Sequence, residues 1–187
     1  MIDSYNAISG FDGFHQKLLS YLEENRWDAA QGALVAWPEN PTYLYALDVN
    51  TWSYCAFDDM PASTLEAFDK YRNAQTISHN QVQIEGYCFD QDRDVVWLEG
   101  TAQVALAYFV AGNSNKANEI LREMDKAFLE SASNTDQGGF CYSANQGTSY
   151  GGDLLWESAD KEIAVSSGAW YLFARYGFNP FEIEKSK

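Results

Sequence analysis

Three acids in this chain stand at the heads of apolar stretches, each with a side chain able to stack or hydrogen-bond further along. Asp48 precedes Trp52 by four residues, Glu99 precedes Gln103 by four, and Glu162 is followed at the same interval by Ser166 and then Trp170. A four-residue interval puts both groups on one face of a helix. Glycoside hydrolysis needs equipment of this kind: two carboxyl groups flanking one bond, one held protonated and the other ionised. Asp48 and Glu99 are the first candidates for the pair, with Glu162 as the substitute. The rival explanation is that acids favour the positive end of a helix dipole, or cap its first turn, whatever the site does. Trp52, Trp97, Trp156, Trp170 and Tyr142 offer flat faces to sugar rings, and aromatics at helical spacing serve equally as core. Trp97 and Trp156 sit just before buried helices rather than within them. Trp27 and Trp37 lie in a long loop, where they either overhang a cleft or pin the loop down.

Other chemistries find less support. Asp90, Asp92 and Asp94 alternate in DQDRD like the start of a calcium loop, but the sixth position is Val95 rather than Gly and the twelfth is Thr101 rather than Glu. This is not an EF-hand, and a solvated acidic turn is the simpler expectation beside an incidental calcium site. The chain has two histidines, His15 and His79, and no CxxC pair, so neither a zinc site nor a Ser-His-Asp arrangement is expected. No dinucleotide fingerprint, P-loop or GxSxG occurs, and no cofactor is expected. Cys55, Cys88 and Cys141 are an odd, widely spread set and make a poor disulfide framework.

The elements that must position these groups follow from periodicity. Phe14, Leu18, Leu19 and Leu22 recur at helical spacing and predict a one-faced covering helix ending near Asn25. Residues 27–41 hold Gly32, Pro38 and Pro41 and read as a loop. Three stretches read as inner helices, apolar on nearly every side and therefore buried: residues 43–57, 94–111 and 159–176. The middle one, Trp97 to Tyr108, is the most apolar, and Gly112 and Gly177 supply stop signals. Covering helices are expected after Pro61, burying Leu65, Phe68 and Tyr71, and over residues 116–130, burying Ile120, Leu121, Met124 and Phe128. GYCF at 86–89 and GFCY at 139–142 read as short strands or extended turns.

These segments repeat. Asp48 and Glu99 are 51 residues apart, as are Ala56 and Ala107, while GYCF and GFCY are offset by 53. A period near 50 marks an array of helical hairpins. The expected fold class is therefore all-α: a layered helical-hairpin array with short extended pieces between hairpins. Residues 1–12 are a lead-in, 13–181 a single α/α domain and 182–187 a tail.

The order LDVNTW, covering helix, GYCFD, WLEGTAQVALAYFVAGN, covering helix, GGFCY and a last helix ending GFNPF resembles the α/α-toroid proteins over residues 43–181. It is most similar to six-hairpin glycosidase-like domains, with terpenoid-cyclase-like toroids second; the zinc ligands and aspartate-rich run of the latter are missing. The resemblance implies inner helices around an axis and a sugar bound at the end of the barrel by carboxylates and aromatics. The helices counted here make only about half a ring, a partial toroid. The chain is then a fragment, a reduced open form, or an arc completed by a second copy or another chain, with apolar flanks that favour self-association. Such an arc acts either as a carbohydrate-active enzyme or as a non-catalytic glycan- or protein-binding module.

Composition narrows the partners. A net charge of −15 with 12 Lys and Arg argues against nucleic acid and anionic membranes. A carbohydrate or another polar small molecule suits an acidic chain that is 16% aromatic. No apolar run approaches a membrane span and no signal-peptide pattern opens the chain, so a soluble protein of open compartment is expected.

Overall fold

The structure, a computed structural model, describes residues 2, 12–146, 149–150, 153–154 and 158–182. Helix α1 (Asp12–Asn25) leads into a small hairpin of β1 (Trp27–Asp28) and β2 (Ala33–Leu34). Helix α2 (Leu47–Ala56) and the short α3 (Ser63–Ala67), continued by a 3-10 turn at Phe68–Tyr71, precede the hairpin of β3 (Arg72–Thr76) and β4 (Gln83–Tyr87). The sequence of elements then recurs: α4 (Leu98–Val110), α5 (Ser114–Asp125) and the hairpin of β5 (Phe128–Ser131) and β6 (Asn134–Phe140). A last hairpin, β7 (Ser149–Tyr150) with β8 (Asp153–Leu154), precedes α6 (Val165–Tyr176) and a 3-10 turn at Pro180–Glu182.

The fold is mixed α/β, and the expectation of an all-α array, a partial toroid of helices alone, is corrected. Among the described residues there are four two-stranded antiparallel sheets. Each extended piece expected between helical hairpins belongs to a β-hairpin whose other strand is not expected: β3 has no apolar signal, and β5 reads as the end of a helix. Arg72 pairs with Tyr87 and Thr76 with Gln83, and β3 reads RNAQT, with three of its five residues exposed. The helix expected over 116–130 stops at Asp125, and Phe128 begins a strand facing Phe140. The inner helices start later than expected, at Leu47, Leu98 and Val165.

Helix α4 is the centre. Every residue from Leu98 to Ala107 is buried, and α4 packs against α2, α5 and α6. Each fully buried aliphatic side chain here, Leu106 among them, contributes about 1.5–3 kcal/mol relative to exposure. Hairpin β3–β4 crosses α4 closely: a Cβ on Gly86 would come within 2.6 Å of Val96 Cγ1 and 2.7 Å of Thr101 Oγ1. Thr101 completes the join, its hydroxyl accepting from Tyr87 N at 3.0 Å and donating to Trp97 O at 2.7 Å. Helix α6 ends where Gly177 takes φ +61° and Phe178 N donates back to Phe173 O at 2.8 Å. Cys55, Cys88 and Cys141 are buried and free. No described helix is long and apolar enough to cross a membrane.

Candidate functional site

The first N–H groups of a helix have no partner within it, and α2 and α4 carry no side-chain cap. Both use the repeat instead. Leu47 N donates to Phe89 O at 2.9 Å, and Leu98 N donates to Tyr142 O at 3.0 Å. Phe89 and Tyr142 are the last residues of GYCF and GFCY, so each extended piece pins the start of an inner helix. The acid that follows, Asp48 or Glu99, is thereby fixed in the first helical turn.

Five expected site residues come together there. Asp48 and Glu99 interact through their charges, and the Tyr142 hydroxyl hydrogen-bonds to Glu99 while also sensing Asp48. Gln103 Nε2 donates to Glu99 Oε1 at 3.3 Å, and Gln103 Oε1 accepts from the Thr51 hydroxyl at 2.9 Å. Trp97 lies against Tyr142, ring centres 6.5 Å apart and planes 29° from parallel, with Phe89 edge-on at 5.3 Å. Its indole N–H makes no hydrogen bond of ordinary geometry, yet it lies close enough to the Tyr142 hydroxyl to oppose part of the rise in that group's pKa. Burial raises the Asp48 carboxyl above its ordinary range, and the charge of Glu99 adds to the rise; the Val49 N–H, 2.7 Å from Oδ1, opposes it. Burial raises the Tyr142 hydroxyl too, followed by the charge of Glu99 and the hydrogen bond to it.

Asp48 also lines a cavity of about 230 Å³ with Trp52, Val49, Leu34 and Arg26. Arg26 brings a cation to this wall, held by Nε–H to the Tyr21 hydroxyl at 3.1 Å. Trp52 and Trp170 meet each other rather than the acids: their rings stack at 5.9 Å and 26°, with Phe181 against both. Glu162 stands apart. Residues 163–164 are drawn into extended pairing, Cys141 with Ile163 and Ala164 N on Phe140 O at 2.8 Å, so α6 begins beyond Glu162 and leaves it exposed. The buried acid of that segment is Asp160, whose Oδ1 has no hydrogen-bond partner; burial raises the Cys141 thiol, and the charge of Asp160 adds to the rise. Trp156 lies outside the described residues.

Sequence reasoning did not single out Thr51, Arg26 or Asp160. Thr51 had a usable signal, standing three residues after Asp48 on the helix face toward α4. Arg26 and Asp160 owe their positions to turns, which leave no periodic trace.

Among the described residues, Cys88, Asp92 and Asp94 have ligand-type atoms within 4.8 Å of one another. Asp90 adjoins them and is pushed up to about 7, first by burial and then by its hydrogen bond with Asp92.

No protein-family model matches the chain, and neither a curated protein nor a solved structure matches it.

Proposed function

We propose that this protein is a carbohydrate-active, glycoside hydrolase-like domain whose reacting groups are Asp48 and Glu99. What supports the reading is the place of these two acids in the first turns of neighbouring helices α2 and α4, within reach of each other's charge, with burial raising the pKa of Asp48. A raised pKa suits Asp48 to hold a proton for the leaving oxygen. Glu99, accepting from Gln103 and Tyr142, is the oriented partner that serves as base or nucleophile. The cavity beside Asp48 and Trp52, with Arg26 in its wall, gives a polar ligand a place to enter. The resemblance to six-hairpin glycosidase-like domains supports the same reading.

A second reading, glycan binding without turnover, is favoured by the cavity, which Asp48, Trp52 and Arg26 line and Glu99 does not. Trp97, 3% exposed and covered by Phe89 and Tyr142, orients neighbours rather than presenting a face to sugar. One experiment separates the two. The protein is incubated with a panel of polysaccharides, and both reducing ends and binding are measured beside Asp48→Asn and Glu99→Gln. Turnover lost in both variants supports the hydrolase. Binding without any reducing ends supports the module, and turnover surviving both substitutions removes the site. Self-association belongs to this proposal as well, and rests on the exposed Val165, Leu172 and Tyr176 of α6. Light scattering reads it directly, and a strict monomer counts against it.

A further inference from the structure

The loop between β4 and α4 holds more negative charge at one point than the proposed reaction uses. The Oδ1 atoms of Asp90, Asp92 and Asp94 lie 3.9, 3.7 and 3.6 Å from Cys88 Sγ. A thiol has one hydrogen and is a weak donor, so it serves at most one of these oxygens at a time, and Asp92 Oδ1 also accepts from Asp94 N at 3.0 Å. Asp90 is independent evidence of an absent partner. It is 3% exposed, its Oδ1 accepts from Asp92 N at 3.2 Å, and its Oδ2 is buried with no hydrogen-bond partner. Its carboxyl lies against that of Asp92. A buried carboxylate oxygen left this way costs roughly 1–3 kcal/mol or more unless something positive or protic reaches it.

We infer that Asp90, Asp92 and Asp94 form a binding site for a hard divalent cation of the Ca2+ class, seated in the loop between β4 and α4. Carboxylate oxygens are the donors such cations take, and alternate aspartates on a turn let several reach one ion. Zinc would ask for imidazole or thiolate donors, and the set here is dominated by oxygen. The loop is tied to the rest of the molecule at defined points. Phe89 O holds Leu47 N, Trp97 N bonds Tyr87 O at 2.8 Å, and Gln75 Nε2 holds Asp94 O at 2.8 Å. An ion at the aspartates therefore braces the starts of both α2 and α4. The site stands whether or not the protein acts on carbohydrate.

Titration calorimetry of the full chain with CaCl2 at neutral pH, paired with thermal melts, tests the inference. The expected result is one saturable site and a melting temperature that rises with Ca2+. Asp92→Asn, a substitution at an exposed residue that should keep the circular dichroism spectrum of the parent, and Asp94→Asn should each weaken binding by at least the order of 10- to 100-fold seen when a metal's outer partners are removed. Asp59→Asn, at an exposed acid elsewhere, should leave it unchanged. No heat and no melting shift at millimolar Ca2+ would overturn the site, and the Asp90 oxygen would then be filled by a proton shared with Asp92. Affinity unaltered in both loop variants, or Zn2+ binding that excludes Ca2+, would overturn it equally.

Discussion

Asp48 and Glu99 occupy the first turns of two neighbouring helices, and the charge of Glu99 reaches Asp48 strongly enough to help raise its pKa. The cause lies in how each helix starts. Without caps, α2 and α4 borrow a carbonyl from Phe89 and Tyr142, and the same tie that satisfies the backbone fixes the turn that carries each acid. Tyr142 takes part twice, through its carbonyl on Leu98 and its hydroxyl on Glu99.

Tyr142→Phe separates these roles, because it removes the hydroxyl and keeps both the ring against Trp97 and the carbonyl. A hydrogen bond to a charged group contributes about 1.5–3 kcal/mol. If that interaction strengthens in the transition state, kcat on a cleaved polysaccharide falls by roughly 10- to 100-fold. The melting temperature should fall by roughly 3–12 °C, about 2–4 °C per kcal/mol lost, while KM stays near its original value. A kcat equal to that of the unaltered protein would remove Tyr142 from the reaction.

Asp48 gives a pH prediction with a definite sign. Its folded pKa lies above the ordinary 3.8. Below that ordinary value folded and unfolded chains are both protonated at this position. As pH rises, the unfolded chain ionises first, so the native state holds more protons and its stability falls until the folded pKa is passed. Asp48→Asn escapes this loss. The variant should match the parent near pH 3.5 and melt higher than it at pH 7, while being inactive. Activity of the parent should fall along its alkaline limb as Asp48 loses its proton. A variant that melts lower than the parent at pH 7 would contradict the burial cost assigned to Asp48.

What the sequence made legible follows from where burial leaves a pattern. Helix α4 was readable because WLEGTAQVALAY is buried all round, and the pair Asp48 and Glu99 because the repeat set them 51 residues apart. Half of each long β-hairpin was readable: β4 buries Ile84, Gly86 and Tyr87, whereas β3 is placed by backbone pairing along a mostly exposed edge. Phe128 misled because it continues the helical interval from Met124, and no Gly or Pro marks the stop at Asp125. Glu162 misled for a related reason. Apolar periodicity finds the helix it precedes, but the pairing of Ile163 with Cys141 decides where that helix begins. Asp160, buried by that pairing, had no pattern of its own.

Gln103 links the two helices, receiving from Thr51 on α2 and giving to Glu99 on α4, and is 1% exposed. Gln103→Leu keeps much of the volume and leaves the Thr51 hydroxyl without this acceptor. The expected stability loss is about 1–3 kcal/mol, as for other buried groups deprived of a partner. Glu99 also loses its restraint, so kcat should drop while the pH limb assigned to Asp48 persists. Adding Thr51→Val should recover neither stability nor activity, since the Thr51 hydroxyl keeps Asp48 O as an acceptor at 3.1 Å and the donor to Glu99 is not restored. Equal recovery of both would mean that Gln103 serves packing alone. Differential melts and steady-state kinetics on the three variants decide this.

Gly100 tests whether the site depends on Trp97 as a support. It sits in the first turn of α4 directly under the Trp97 ring, and a Cβ there would overlap the ring and approach Leu47 Cδ2 to 3.0 Å. In a helix, Gly→Ala ordinarily adds about 0.8–1.0 kcal/mol of stability. Here overpacking should prevail, costing about 1–3 kcal/mol as the indole is forced from its place. Displacing the indole disturbs Tyr142 and Phe89 together, and through them the carbonyls that hold Leu98 and Leu47. Gly100→Ala should therefore melt lower, redden the tryptophan emission as Trp97 gains solvent, and lose activity in greater proportion than stability. Gly112→Ala serves as the comparison, since Gly112 has φ +77° but nothing within 4 Å of its would-be Cβ. That variant should lose stability through backbone strain and retain both the emission and the turnover. If Gly100→Ala instead stabilises the protein, as helix propensity alone predicts, the contact between Gly100 and Trp97 does not position the site.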